Sequence, residues 1–560
     1  MKKQLVLTFL VFAAIATTAQ TVLRVQPGMG TLNTAINTYK GTRIYQLDAG
    51  EWYGLNAPIE NVDYHLKIVG SEPSVLGGMI ATLQTGSDVN GVAFDKMFNA
   101  KGDITLKNIY FVNADLTEQV AANFIIQSKA NTQINIDRCV LHPAGVSTGI
   151  KGDAINTKTY FTNNIVIDFG HQLNPNDGHF FWYGNTTLGA GLDSLYVENN
   201  TFVCMGMNVF FGGFGDLTHN YVNFNHNSFV FSKSQLDWAT KKNEEYWTNN
   251  LFFDVQTQPY SNSWQPMPGG DAAMPKPNLI FAAPLPNETM PSTRKNFVQY
   301  NSHYRAKGFY DLITELNNFA KTKNIPNVYL FPLVWSKDSV NCREAQMFNS
   351  SNYPGFKYGN TITDIDPAWI DTRIYDNETK FISWTRPASY IHALSQPSGN
   401  YPPATEWSQY WWIPSGDISN NSVWPVFNGK YTNPQTLTGS IENLPLGDLN
   451  WFPASKSVWL SNKSAIEAHI KAGNTFKINL TGVKNTEYKE NGFYPNPAKN
   501  IISIVGSQNV TVSILNLNGA VLKSVSNVSQ VNVSDLANGC YLVKIEDSNT
   551  IRSAKLIINR

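Results

Sequence analysis

An Asn-Asn step in front of apolar residues recurs along the first half of the chain. It stands in "YFTNNIVIDFG" from Tyr160, "LYVENNTFVCMG" from Leu195 and "EYWTNNLFFDV" from Glu245, with "VNFNHNSFVFS" from Val222 as a variant. Six segments align on one apolar residue each: Leu106, Ile136, Phe161, Val197, Phe224 and Trp247. Five positions later each has a second apolar residue: Phe111, Leu141, Val166, Phe202, Phe229 and Phe252. Self-similarity at this period means stacked units that cannot bury their apolar face alone. Apolar residues alternate around each anchor, as in "LYV" and "VNF", so the units are strands. A strand, a bend and a second short strand per unit describe one rung of a coil, with rungs ~4.8 Å apart and the aligned apolar rows inside. Asn164, Asn200, Asn227 and Asn250 fall at the bend. There Asn tolerates the turned backbone and can satisfy amides that lack ladder partners. Ile109 and Cys139 replace Asn in the first two rungs, so the expected ladder is confined to later ones, and "FVQYNSHYR" around Asn301 could add one more.

These residues resemble the right-handed parallel β-helix, or pectate-lyase-like, superfamily, in which interior asparagine ladders are familiar. The resemblance covers roughly residues 25 to 305. Upstream, "TLNTAINTY" places Leu32, Ala35, Ile36 and Tyr39 on one helical face, suited to a helix that caps the open end of the coil.

The chain has 560 residues, more than one ordinary core accommodates. Its formal net charge is zero, and only 15% of residues are charged. No basic excess exists to release counterions, which argues against nucleic acid as a partner. Lys2 and Lys3 precede "LVLTFLVFAAIA" and small residues at Ala14, Ala16 and Ala19, the pattern of an export signal cut after Ala19, or after Ala16. No later stretch is long and apolar enough to span a membrane. Cys139, Cys204, Cys342 and Cys540 are too few for a disulfide scaffold and lack zinc-site spacing. Cys139 and Cys204 fall two rungs apart, too far to bridge.

The expected organisation is a signal peptide at 1–19, a parallel β-helix at 20–305, and a loop-rich extension at 306–480 with two helices and possible further rungs. A linker at 481–491 then leads to a sandwich at 492–560. In the extension, "FYDLITELNNFAKTKN" and "SNKSAIEAHIKAGN" have helical spacing, the second with Ser461 as its N-cap and Gly473 as its stop. In the last segment "NVTVSILNLNG", "VNVSDLANGCYLVKI" and "SAKLIIN" alternate around an Asn518-Gly519 turn, as in an antiparallel β-sandwich of Ig-like scale. This segment resembles the type A C-terminal sorting domain of type IX secretion substrates of Bacteroidota. The matching residues are Tyr494, Pro495, Asn496, Pro497, Asn518, Gly519, Asp535, Leu536, Asn538, Gly539, Tyr541 and Lys555; Cys540 departs from the usual Ile, Val or Thr. The resemblance implies handling by the type IX machinery after periplasmic passage, then release or attachment at the outer-membrane surface.

Candidate chemistry gathers in "IKGDAINTKTYFTNNIVIDFGHQLNPNDGHFFWYG". A lyase acting on a uronic-acid polymer needs a cation to neutralise the carboxylate, a base for the α-proton, and donors that orient the chain. Lys151, His171 or His179 could be the base, with Asp153 beside them, and Asp168 or Asp177 could hold Ca²⁺. Arg138 could pair with a sugar carboxylate, and Trp182 and Tyr183 could stack on sugars. Asp153 and Asp168 are read as lying on neighbouring strands, a geometry open to glycoside hydrolysis. Each has a plainer role: "NPNDG" is a turn sequence, the histidines can bond backbone, Arg138 can snorkel, and the aromatics can pack under the loop. No catalytic motif of pectate lyases, pectin methylesterases or polygalacturonases is matched. Three functions therefore stay open: a polysaccharide-degrading enzyme, a non-catalytic carbohydrate-binding or adhesive surface protein, and a structural spacer at the surface.

Overall fold

The computed structural model describes residues from 20 onward. It excludes 75–77, 144, 146, 171–177, 189–190, 207, 214–216, 234–235, 239–240, 258–259, 262–292, 325–326, 331–347, 349–352, 396–411, 413–426, 481–492, 495–497, 505–509, 517–519, 547–550 and 560. The chain divides into two compact units, Met1–Asn479 and Leu480–Arg560.

The first unit is a parallel β-helix whose rungs contribute to three sheets. Sheets A and B have eleven described strands each and sheet C has seven, all parallel to their neighbours. In a full rung the chain runs through A, B and C, as in Gln133–Asp137, Val140–Leu141 and Thr148–Gly152. Leu106, Ile136, Phe161, Val197, Phe224 and Trp247 are successive register partners in sheet A. Phe111, Leu141, Val166, Phe202, Phe229 and Phe252 are successive partners in sheet B. Both rows are buried. Their rings stack from rung to rung: Phe224 on Trp247 at 4.0 Å, and Phe202 on Phe229 at 5.0 Å. One more rung, Phe356–Gly359 and Ile362–Thr363, follows the strands around Asn301.

The Asn-Asn step divides its work between two positions. The first residue holds the left-handed bend between sheets A and B. It is Asn163 (φ 62°), Asn199 (54°) or Asn249 (60°), and Arg138, His226 and Tyr300 do the same in rungs without the pair. The second residue builds the ladder. The Asn200 backbone N–H and Nδ2 both donate to Asn227 Oδ1, and Nδ2 also donates to the Phe161 carbonyl. The pattern begins where Asn164 Oδ1 accepts from the Cys139 N–H. It continues through Asn227 and Asn250 to Asn301, which donates to the Trp247 carbonyl.

Helix α1 (Thr31–Tyr39) follows the first sheet B strand and buries Leu32 and Ile36 in the interior cluster, closing that end. Tyr39, expected on the same face, is 40% exposed. Cys139 and Cys204 are buried free thiols, while Cys342 lies outside the described residues, as do the stretches 1–19 and 481–491 expected as signal peptide and linker.

Helices α2 (Lys307–Lys323), α3 (Arg373–Ser395), α4 (Pro434–Leu437) and α5 (Pro453–Lys471) punctuate the extension. The α5 helix starts eight residues before Ser461, which lies inside it with its hydroxyl on the Ser457 carbonyl; Pro453 in the first turn sets the start. Gly473 (φ 74°) ends it as expected. Trp369, Phe381, Trp412 and Tyr431 pack with Tyr110, Val203 and Phe253 in a second apolar cluster, which covers the outer face of sheet B.

The second unit packs a three-stranded sheet and a four-stranded sheet, both antiparallel, around Ile502, Val512, Ile514, Val543 and Leu556.

Candidate functional site

The outer face of sheet C brings together four of the expected residues. Strands Thr148–Gly152 and His179–Trp182 are register neighbours, with Thr148 opposite His179 and Lys151 opposite Trp182. The next strand places Asn208 beside His179 and Phe211 beside Trp182. Lys151 Nζ lies 5.1 Å from the Trp182 ring centre and 3.0 Å from Asp153 Oδ2, with the two charged side chains 31% and 26% exposed. Asn185 Nδ2 reaches Asp153 Oδ1 at 3.4 Å. His179 stacks on Phe211 at 4.4 Å, and its Nδ1 is 3.1 Å from Asn208 Oδ1. The result is a half-buried cation between a carboxylate and an indole, one rung from an imidazole. Phe211 and Asn208 belong to this face although the sequence reading passed over them. Counting the strand register one rung further finds them.

Other expected residues lie elsewhere. Asp168 is fully buried on the outer side of sheet B. Its Oδ2 is 2.9 Å from His142 Nε2, and its Oδ1 accepts from the Trp412 backbone N–H. Asp168 and Cys204 (both φ 57°), Phe231 (60°) and Asp254 (50°) form a second column of left-handed residues, which redirects these side chains out of simple alternation. Burial pushes the Asp168 carboxyl up to about 6, against the pull of His142. With one oxygen on a histidine nitrogen and the other on a peptide N–H, this carboxylate does not fit a Ca²⁺ ligand set. Asp153 follows a sheet C strand and Asp168 is the penultimate residue of a sheet B strand, so the two do not face each other across a bond to be hydrolysed. Among the described residues no group of three or more His, Cys, Asp or Glu side chains comes close enough to hold a metal.

Tyr183 points into the interior, its hydroxyl 2.7 Å from Thr159 Oγ1, and burial raises its pKa; it is a core residue rather than a sugar platform. Arg138 sits in an A–B bend and pairs with Glu72 at 2.8 Å, on a different face from Lys151. His171 and Asp177 lie outside the described residues.

In the second unit Gly539 opens the strand Gly539–Glu546, the Tyr541 hydroxyl donates to the Ala537 carbonyl at 2.8 Å, and Lys555 is the register partner of Leu542. Pro495, Asn496, Pro497 and Gly519 are outside the described residues. Residues 492–559 match the family described as the secretion system C-terminal sorting domain. The C-terminal unit is a type IX sorting domain. Such a sorting domain implies a protein of Bacteroidota, exported to the cell surface or secreted. No helix among the described residues is long and apolar enough to cross a membrane.

None of the curated proteins matches the chain. Two solved structures similar to it are the PL6 family alginate lyase AlyGC and an arginine-to-alanine mutant of that lyase. They align at TM-scores of 0.26 and 0.28 and identities of 14% and 15%, covering 42% of this chain and 36% of theirs. The aligned part is thus little more than a third of the lyase's length.

Proposed function

We propose that the exported β-helix acts on a uronic-acid polysaccharide at the outer face of sheet C. The observation that supports this reading is the position of Lys151, flanked by Asp153 and Trp182 with His179 on the adjoining rung. A half-buried ammonium can neutralise the carboxylate of a bound uronate, which acidifies the adjacent C–H. His179 is the base suited to take that proton. The electron pair then forms the new C=C bond and expels the glycosidic oxygen, which takes up a proton. Trp182 offers a flat surface to a sugar ring. A second reading, non-catalytic carbohydrate binding, is favoured by the Lys151–Asp153 ion pair, because an ammonium already held by a carboxylate has less charge to offer a bound uronate and acidifies its C–H less.

Purified protein incubated with polygalacturonate, alginate and neutral glycans, with Ca²⁺ and with chelator, separates these readings. Ultraviolet absorbance from unsaturated chain ends, lost at least 100-fold in His179→Ala and in Lys151→Ala, is the expected result. Reducing ends without absorbance, or an unaltered His179→Ala enzyme, would remove this reading. Silence toward all polymers would leave the binding one.

A further inference from the structure

We propose a second glycan-binding face on the outer side of sheet A, taking an extended neutral polysaccharide and independent of the reading of sheet C. Its first element is a row of tyrosines. Tyr160 and Tyr196 are register partners on consecutive rungs, with rings parallel to within 7° and centres 4.8 Å apart. The ring of Tyr221, from the next strand, continues the row at 4.8 Å. Because the faces cover one another, what Tyr160 and Tyr196 present outward is edges and hydroxyls, while at the Tyr221 end the Lys471 ammonium lies 5.0 Å from the ring centre. Most other tyrosines of this unit commit their hydroxyls to a protein group: Tyr45 to the Lys40 carbonyl, Tyr53 to Val25, Tyr246 to Glu244, Tyr300 to Thr475 and Tyr431 to Leu446. Tyr160, Tyr196 and Tyr221 are half-buried and have no such partner among the described residues. Burial, seconded by the neighbouring phenols, holds the Tyr196 hydroxyl up at about 12 and raises Tyr221, so both remain donors.

The second element is a cleft of ≈ 390 Å³ at the start of the same strands, lined by Asp103, Asn131, Gln133, Asn156, Lys158 and Asp193. Lys158 precedes Tyr160 by two residues, and Asp193 precedes Tyr196 by three, so cleft and row are continuous. Lys158 is neutralised by Asp193 at 3.4 Å, and Asp103 Oδ1 accepts from the Gln133 N–H. The lining thus offers amides that both donate and accept, with one carboxylate in excess. That is suited to vicinal hydroxyls and repels a uronate chain. Rungs repeat at ~4.8 Å, close to the repeat of an extended pyranose chain. A glycan lying along the coil axis would therefore meet one phenol per sugar.

The test is gel retardation of the full chain in hydroxyethylcellulose, xylan and galactomannan, with polygalacturonate as the anionic probe. Tyr160→Phe/Tyr196→Phe keeps the stacked rings and removes two hydroxyls. Expected is retardation by at least one neutral glycan that weakens on the order of tenfold in this variant and in Asp193→Ala, at unchanged thermal midpoint. It should persist in Lys151→Ala/Trp182→Ala, which reports on sheet C separately. Neutral-glycan retardation unaffected by the tyrosine variant, or abolished by the sheet C variant alone, would overturn the proposal. So would no retardation by any of the three glycans.

Discussion

At the bends between sheets A and B that carry the ladder, one residue sets the left-handed backbone conformation and the next supplies the rung-to-rung hydrogen bonds. Substitution should separate the two roles. The Asn199 side chain has a buried Oδ1 with no partner, so its value lies in accepting φ 54°. Glycine accepts that φ without strain, and Asn199→Gly should cost less than about 1 kcal/mol. Asn200→Ala strands the Asn164 N–H and the Phe161 carbonyl inside the coil, at about 1–3 kcal/mol each, or roughly 2–6 kcal/mol together. Urea midpoints of the two variants measure the contrast, and equal losses would refute the division of labour. The ladder was legible because Asn recurs at fixed distance from an apolar anchor. Arg138 and His226 were not, since in those rungs a bulkier residue takes the left-handed position and the repeat loses its letter. Asp168 was misplaced for a related reason: a left-handed residue at the end of a sheet B strand breaks the alternation from which its direction was read.

Among the elements, α5 is held to sheet A by charges that the sequence does not pair. Glu198, nearly fully buried at the end of its strand, receives Lys463 from the helix and the Asn223 amide from the next rung. Lys456 reaches Asn163, Lys463 reaches Glu198 one rung on, and Lys471 lies over Tyr221 one rung beyond. Burial raises the Glu198 pKa and Lys463 opposes that rise. Replacing Lys463 by Met removes the opposition and leaves a buried carboxylate unpaired, at about 1–3 kcal/mol once the partial exposure of Lys463 is allowed for. A carboxyl whose folded pKa is raised favours folding below its unfolded pKa, and that contribution is lost as pH rises through the folded value. The Lys463→Met deficit should therefore be largest at pH 7–8 and shrink toward pH 4.5, where Glu198 is protonated, while Lys463→Met/Glu198→Gln recovers most of it. Thermal midpoints across that range decide, and a deficit independent of pH would mean that packing alone was lost. The pairing was hidden because 265 residues separate the partners. Helical spacing found the later part of α5 but not its first turns.

For the whole molecule, the two units carry separate interiors. One is built of stacked aromatic rows, the other of small aliphatic residues between antiparallel sheets. The end of the chain was the easier half to read, because turn residues and alternating strands recur there at close spacing. The working face of the coil was harder, because which outward residues meet depends on how each strand is registered on its neighbour. Lys151 and Trp182 are adjacent in space yet 31 residues apart, and Tyr183, one residue later, turns inward. A self-contained sorting domain has a direct consequence for export. Ending the chain at Asn479 leaves every strand of the coil and α5 intact, so the truncated protein should keep its thermal midpoint to within about 2 °C. It should nevertheless be lost from the cell surface and the medium and accumulate in the periplasm, because the signal that the type IX machinery reads is gone. Immunoblots of surface, medium and periplasmic fractions, beside a melt of the purified truncation, measure the two separately. A folded truncation that still reaches the surface would defeat the export role of 492–559, whereas an unfolded one would show that the coil depends on its tail.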